Sequence, residues 1–243
     1  MNADTEKIPI SDHLEDLRKA LLLSLIGLII GVVAAAFFVN PALEFLTQPI
    51  GGLQNLQAIE VTETLSVYMR VASLGGLILS LPWIFYQFLV FVGKGLKPKE
   101  KKGLLTAIPF AVLLFLVGAG FAFYIMLPAS LKFFQEVLNV TTSIRLKSYI
   151  SFVNNLLFWI GMSFQLPLIF FVLAKVGIVN SQLLIKGWRV ALVLIAVLAA
   201  VITPTGDPVN MMLFMLPLFV LYLLSIVLTV VAGKPAKTEE NKE

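Results

Sequence analysis

The segment KGLKPKEKK, residues 94–102, stands between two long apolar runs and decides how the chain is arranged. It holds five lysines within nine residues, and among them lies one carboxylate, that of Glu100. Lysines clustered at the end of an apolar run mark the cytoplasmic side of a membrane protein. Two interpretations of Glu100 stay open from this segment alone: it pairs with the neighbouring lysines, or it binds a cationic ligand.

The composition of the chain indicates a polytopic membrane protein. Of 243 residues, 59% are hydrophobic and only 13% are charged, about half the charged share of an average soluble domain. The net charge of +4 does not indicate nucleic-acid binding, because the basic residues lie at the ends of apolar runs. The absence of cysteine excludes disulfides and thiolate chemistry. The N-terminus lacks the pattern of a cleaved signal, so the first apolar run is expected to stay in the mature protein.

Six runs are apolar and long enough to be expected to cross a bilayer, which takes about 20 helical residues. We therefore predict an all-α membrane protein whose membrane domain, residues 21–232, contains six spans. The predicted spans are residues 21–39, 71–92, 104–127, 152–174, 188–203 and 209–232. The fifth is short, since its 16 residues reach about 24 Å across a hydrocarbon core of about 30 Å. Local thinning of the bilayer there is a hypothesis.

The distribution of basic residues predicts the orientation. Of the 18 lysines and arginines, 14 collect on one side of the predicted spans. The four on the other side are Arg70, Lys132, Arg145 and Lys147. By the positive-inside rule, both termini and the lysine-rich loop are cytoplasmic.

The two ends of the chain differ in character. Residues 1–20 are predicted to form an amphipathic cytoplasmic helix that runs into the first span, with Leu14, Leu17 and Leu21 on one face. From this segment alone, an interfacial anchor is the favoured interpretation. Residues 233–243 have the composition of a disordered cytoplasmic tail.

Prolines and glycines within the spans predict their packing. A proline inside a helix removes a backbone hydrogen bond and favours a kink, so a kinked, concave bundle is expected. Gly27 and Gly31 form a GxxxG pair, for which close helix packing is the favoured interpretation. The loop over residues 40–70 is apolar and is expected to cap the outer face with short helices. The prolines concerned are Pro82, Pro109, Pro167 and Pro217.

The sequence offers little for catalysis or metal binding, and we predict that the protein is not an enzyme. The one histidine, His13, lies outside every predicted span, and the span interiors supply no set of metal ligands. Gln165, near the middle of the fourth span, either hydrogen-bonds within the bundle or contacts another membrane helix. Asp207, beside Pro208, is favoured as a cap at the start of the sixth span.

Several stretches resemble one family. HLEDLRKAL at residues 13–21 resembles the signature HLxELRxRL of TatC, the multispanning receptor of the twin-arginine protein translocase. FYQFLVFVGKGLKPKE at 85–100 is similar to the family's second span and first cytoplasmic loop. SFQLP at 163–167 and the TP…D turn at 203–207 match further stretches in the same order. The resemblance covers nearly the whole chain.

The resemblance implies a function beyond what composition indicates. It implies a core receptor that binds the twin-arginine signal peptides of folded precursors, works with TatA and TatB in an oligomeric complex of the inner membrane, and uses the proton-motive force. It implies no cofactor. Glu100 would accept an arginine of the signal, because guanidinium and carboxylate pair strongly where water is partly excluded. The other signal-peptide contacts that it implies are Asp16, Phe91, Arg18 and Leu17, and the partner-helix contacts are Gln165, Thr203 and Asp207.

Three residues depart from the family pattern. Asp16 replaces a glutamate of the signature, Ala20 replaces its second arginine, and Gln165 stands where the family commonly has glutamate. Two other functions stay open. A small solute transporter or channel is suggested by the kinked spans, although such proteins usually carry midplane charges or internal repeats, and neither is present here. A purely structural assembly subunit would bind partners but no signal peptides.

Overall fold

The computed structural model describes residues 10–93, 107–138, 144–203 and 208–232. Within these ranges two very short strands pair in parallel, and nearly all other residues are helical. In chain order the elements are α1 (Ile10–Ala36), α2 (Val39–Thr47), 3₁₀ turns at Gln48–Ile50 and Leu53–Asn55, β1 (Leu56–Gln57), α3 (Val61–Gly93), α4 (Ala107–Phe121), a π-helical turn (Ala122–Met126), α5 (Leu127–Leu138), β2 (Ile144–Arg145), α6 (Leu146–Ser163), α7 (Leu166–Val176), α8 (Ser181–Lys186), α9 (Trp188–Ile202) and α10 (Pro208–Ala232).

The described residues contain five stretches of helix long and apolar enough to cross a membrane. A sixth apolar helix, Trp188–Ile202, is shorter, as the sequence predicts for the fifth span. The prediction of an all-α membrane protein is therefore confirmed. The five long stretches are Leu14–Ala36, Val61–Phe91, Ala107–Phe134, Leu146–Val176 and Pro208–Ala232.

Several boundaries differ from the predicted ones. α1 is continuous from Ile10, so the predicted N-terminal helix and the first span form one element. α3 begins at Val61, ten residues before the predicted start of the second span at residue 71, and carries polar residues such as Glu63 in its first turn. Hydropathy finds only the part of a helix that faces lipid or core, so it misses polar turns at helix ends. The loop over residues 40–70 is correspondingly shorter, and α2 and the 3₁₀ turns supply its predicted short helices.

The prolines act in two ways. Pro82 and Pro217 lie inside α3 and α10. Pro167 instead lies in the first turn of α7, after a break in the fourth span at Phe164 and Gln165. A proline fits the first turn of a helix because the N–H that it lacks would have no partner there.

The core is organised around α6, which packs against α3, α4, the π-helical turn and α9. Its inward face carries Ile150, Val153 and Leu156, none of which is exposed to solvent. α10 packs along α7, and α1 packs along α3. At one end of the bundle, β1 and β2 join the loops that precede α3 and α6, and the hydroxyl of Tyr149 donates to the carbonyl oxygen of Leu46 at 2.9 Å.

Candidate functional site

The α1–α3 pair positions the residues that the sequence singles out at its N-terminus. The two helices run antiparallel, as contacts between positions 35 and 75, 31 and 76, and 27 and 83 show. Continued toward the start of α1, this register brings position 91 level with positions 16–19. Asp16, Leu17 and Arg18 therefore lie at the same end of the pair as Phe91.

Small residues let the two helices approach closely. A methyl group at Gly31 would lie 2.5 Å from the carbonyl oxygen of Gly76, and one at Gly76 would lie 2.5 Å from the Cα of Val32. Neither position has room for a side chain, because the atoms in the way belong to the facing backbone. The close packing predicted from Gly27 and Gly31 is thus present.

A hydrogen bond between a side chain and the backbone joins α1 and α3 nearer the end where Asp16 and Phe91 lie. The indole N–H of Trp83 donates to the carbonyl oxygen of Leu23 at 2.9 Å. The ring lies over Gly27, where a methyl group would come within 2.3 Å of it. Trp83 also stacks on Tyr86, with ring centroids 5.9 Å apart. Trp83 was not among the residues predicted from the sequence; a glycine on α1 opposite a large aromatic residue is the signal that could have found it.

The start of α1 presents both charge and apolar surface. Asp16 is half-buried, Arg18 is exposed and Leu17 is 38% exposed. Leu14 and Leu21 extend the apolar surface, with 60% and 61% exposure. A leucine row beside a carboxylate suits a segment that combines a cationic part with an apolar part.

Two of the predicted site residues lie outside the described residues. Glu100 belongs to the connection between α3 and α4, and Asp207 to the connection between α9 and α10. Their roles remain predictions. The connection that carries Glu100 follows directly on Gly93, the last residue of α3, at the end of the pair where Asp16 lies.

Gln165 lies at the break between α6 and α7 and is 1% exposed. Its Nε2 donates to the carbonyl oxygen of Ala111 on α4 at 3.0 Å. Its Oε1 is buried and has no hydrogen-bond donor among the described residues. The within-bundle hydrogen bond is therefore present, and one acceptor remains available in a place where unpaired polar atoms are costly.

Thr203 is 4% exposed and lies at the end of α9. Its hydroxyl donates to the carbonyl oxygen of Ala199 at 3.0 Å, within its own helix. The hydrogen bonds of Gln165 and Thr203 thus run to α4 and within α9, whereas Asp16 and Phe91 belong to α1 and α3.

A cluster of ion-paired side chains lies at the start of α3 and was not predicted from the sequence. The guanidinium of Arg145, on β2, donates to the carboxylates of Glu63 and Glu60, the latter at 2.9 Å. We call these three residues the clasp. Glu63 is 0% exposed, and its second oxygen accepts the backbone N–H of Ile59 at 3.2 Å. The signal that could have found the clasp is a pair of acids three residues apart before an apolar run, together with one arginine in the next loop on that side.

The clasp joins the two loops on its side of the bundle. Its hydrogen bonds to Glu63 and then Glu60 raise the pKa of Arg145 above its ordinary value. A raised pKa on a base adds stability that is fully present at every physiological pH and is lost only in strong alkali. No group of three histidine, cysteine, aspartate or glutamate residues in the described part of the chain could hold a metal ion.

Comparisons with known proteins agree on one family. The family model described as Sec-independent protein translocase protein (TatC) matches residues 12–217. The TatC protein of Carboxydothermus hydrogenoformans is 36% identical, over 88% of this chain and 90% of its own length. That of Deinococcus radiodurans is 37% identical, over 96% of this chain and 90% of its own length.

Solved structures give the same result for the fold. A crystal structure of the twin-arginine translocase receptor TatC superposes with a TM-score of 0.80 at 33% identity. The match covers 91% of this chain and 100% of that one. A second crystal structure of that receptor, in the detergent DDM, gives a TM-score of 0.81 at 32% identity.

Proposed function

We propose that this chain, which belongs to the TatC family of Sec-independent protein translocase components, binds the twin-arginine signal peptides of folded precursors. The observation that carries the proposal is the α1–α3 register, which brings Asp16 and Leu17 level with Phe91. The connection that contains Glu100 starts at the same end. Asp16 and an apolar surface thus lie at the end of the helix pair from which the segment that contains Glu100 continues.

The chemistry of the signal fits these groups. Each guanidinium of an arginine pair bonds bidentately to a carboxylate, and Glu100 and Asp16 supply one each. Phe91 offers an aromatic face to a guanidinium. The apolar part of the signal lies along Leu14, Leu17 and Leu21, which are exposed. Arg18 and the lysines of residues 94–102 disfavour signals that carry extra positive charge next to the pair.

We also propose that Gln165 contacts the membrane helix of a single-span partner, TatA or TatB. Its Oε1 is a buried acceptor without a donor in the described residues, and a donor on a partner helix would satisfy it. The side chain of Gln165 is 1% exposed. The donor must therefore reach it through the break between α6 and α7. Thr203 and Asp207 extend this partner contact toward α10 in the proposal.

The proposed orientation follows from the charge distribution, and the proposed complex and its energy source follow from the family. The chain lies in the cytoplasmic (inner) membrane with both termini in the cytoplasm, and it acts in an oligomeric complex driven by the proton-motive force. Membership of the translocase family favours this function over a solute transporter.

Binding of a labelled twin-arginine signal peptide to the detergent-solubilised full-length protein tests the proposal. We expect saturable binding that is lost when the arginine pair of the peptide is replaced by lysines, and that Glu100→Gln abolishes. Glu44→Gln is the matched control, since Glu44 is an exposed carboxylate on α2 at the far end of the α1–α3 pair. Equal binding of arginine and lysine peptides, in folded protein, would contradict the proposal.

A further inference from the structure

A cationic surface lies where the short helix α8 connects the end of α7 to the start of α9. Lys175 is in the last turn of α7, Lys186 ends α8, and Arg189 is the second residue of α9. All three side chains are exposed, and so is that of Trp188 between the last two. We call these four residues the basic rim. We infer that the basic rim binds the phosphate headgroups of anionic phospholipids in the membrane leaflet on that side.

The elements that carry the basic rim, α7, α8 and α9, contain no acidic residue. The sequence has no aspartate or glutamate from Val137 to Gly206, and α10, which packs on α7 and α8, has none either. No carboxylate within the described residues pairs with Lys175, Lys186 or Arg189. The positive charge is therefore uncompensated by the elements that carry it, and it lies next to apolar helices where headgroups lie.

The segment that carries the rim is held in place. The carboxamide oxygen of Asn180 accepts the backbone N–H of Leu183 at 2.7 Å and caps α8. Leu184 is buried, and its carbonyl oxygen accepts the hydroxyl of Tyr222 on α10. α8 is thus docked on the bundle, so binding does not require the rim cations to be assembled from a loose loop.

The rim combines cations with exposed apolar side chains. Leu183 is 59% exposed, Ile185 is 53% exposed and Trp188 is 49% exposed. The guanidinium of Arg189 lies 5.8 Å from the ring centroid of Trp188, and the Nζ of Lys175 lies 5.5 Å from that of Phe171. Tryptophan beside lysine and arginine is typical of the membrane–water interface.

A lipid fits this surface better than free phosphate. The headgroup phosphate accepts hydrogen bonds from Arg189 and the lysines, and its acyl chains contact Ile185 and Trp188. Free phosphate would use the cations and leave the apolar side chains in water. The ligand chemistry is therefore a phosphodiester joined to hydrocarbon chains, and the source is the bilayer.

Native mass spectrometry of the full-length protein tests the inference. The protein in detergent is titrated with phosphatidylglycerol and, in parallel, with phosphatidylcholine of the same chains. We expect tighter binding of phosphatidylglycerol, with a loss of about fivefold in that preference for each cation removed by Lys175→Gln, Lys186→Gln or Arg189→Gln. Lys147→Gln is the matched control, because Lys147 lies at the start of α6, at the other end of the span Leu146–Val176 from Lys175; it should leave the preference unchanged.

Two further measurements test whether the charge sets the preference and whether free phosphate can replace the lipid. Lys175→Arg with Lys186→Arg keeps the charges and should keep the preference. An excess of inorganic phosphate should not displace the lipid, because it lacks the apolar contacts. Equal binding of the two lipids by the unaltered protein, an unchanged preference in a variant that combines the three glutamine substitutions, or displacement by phosphate would each overturn the inference.

Discussion

The two ends of the α3 helix are built in opposite ways. At the Val61 end, Glu63 is 0% exposed and its carboxylate is paired with Arg145 and bonded to the backbone of Ile59. At the Gly93 end, the facing residues of α1 include the half-buried Asp16 and the exposed leucines of its first turns. One end is closed by a fully buried carboxylate paired with an arginine, and the other carries a half-buried carboxylate beside exposed leucines.

The difference separates stability from recognition. A buried carboxylate stabilises a fold only while its partner is present, because the unpaired charge is costly to keep away from water. A carboxylate near water adds little to stability and can bind a cation from another molecule. Substitutions at the two ends should therefore change different measured quantities.

The largest expected effect is that of Arg145→Met at the clasp. It leaves the carboxylate of Glu63 buried without its partner, so we expect the melting temperature of the detergent-solubilised protein to fall by about 6 °C or more. Adding Glu63→Gln removes the second charge and should restore most of the loss. Lys147→Met, two residues further on, is the control. An equal fall in its melting temperature would show that the loss does not come from breaking the clasp.

The next effect is that of Asp16→Asn at the other end. We expect the affinity for a twin-arginine peptide to fall about tenfold, since hydrogen bonds to charged groups contribute about 1.5–3 kcal/mol. The melting temperature should fall by less than in Arg145→Met, because Asp16 is half-buried and Glu63 is fully buried. Glu15→Gln removes the neighbouring exposed carboxylate and should change neither quantity. A large loss of stability in Asp16→Asn would erase the contrast between the two ends.

Trp83→Phe lies between the two ends and should have an intermediate effect. It removes the hydrogen bond to the carbonyl oxygen of Leu23, worth about 1 kcal/mol, so the melting temperature should fall by about 2–4 °C. Trp159→Phe is the control, because the indole of Trp159 makes no hydrogen bond within the described residues. Equal effects of the two substitutions would mean that ring volume, rather than the hydrogen bond, stabilises the α1–α3 pair.

The smallest effect is expected for Glu60→Gln. Glu60 belongs to the clasp, but its side chain is 56% exposed, and exposed ion pairs contribute little. The melting temperature should fall by less than about 2 °C. A fall as large as that in Arg145→Met would mean that both carboxylates, rather than the buried one, hold Arg145.

Much of the fold could be predicted from the sequence because lipid selects for long apolar helices. The short fifth span, the short helices before α3 and the close packing at Gly31 all follow from hydropathy, helix length and residue size. The clasp could not be predicted in this way, because Glu63 and Arg145 lie 82 positions apart and are brought together by tertiary contacts such as the pairing of β1 with β2.

The candidate site was predicted less completely. The leucine spacing at the start of α1 predicts an apolar face beside Asp16, and the structure places those leucines at the surface. The partner of Gln165 was not predictable, since a glutamine in an apolar run gives no indication of which carbonyl it will meet. The resemblance to a family, rather than the spacing of residues, assigned Glu100, and that assignment still requires the binding experiment.

The π-helical turn at Ala122–Met126 bears on how this span can change length. Such a turn accommodates one residue more than an α-helix would need over the same distance. Its inward residues, Ala122, Phe123 and Met126, are buried, and Phe123 stacks on Phe45 with centroids 4.5 Å apart. Deleting a single residue that faces outward, Tyr124 or Ile125, would convert the turn to regular α-helix and leave the faces of α4 and α5 aligned. We therefore expect this span to tolerate the loss of one residue at the turn without a compensating change elsewhere.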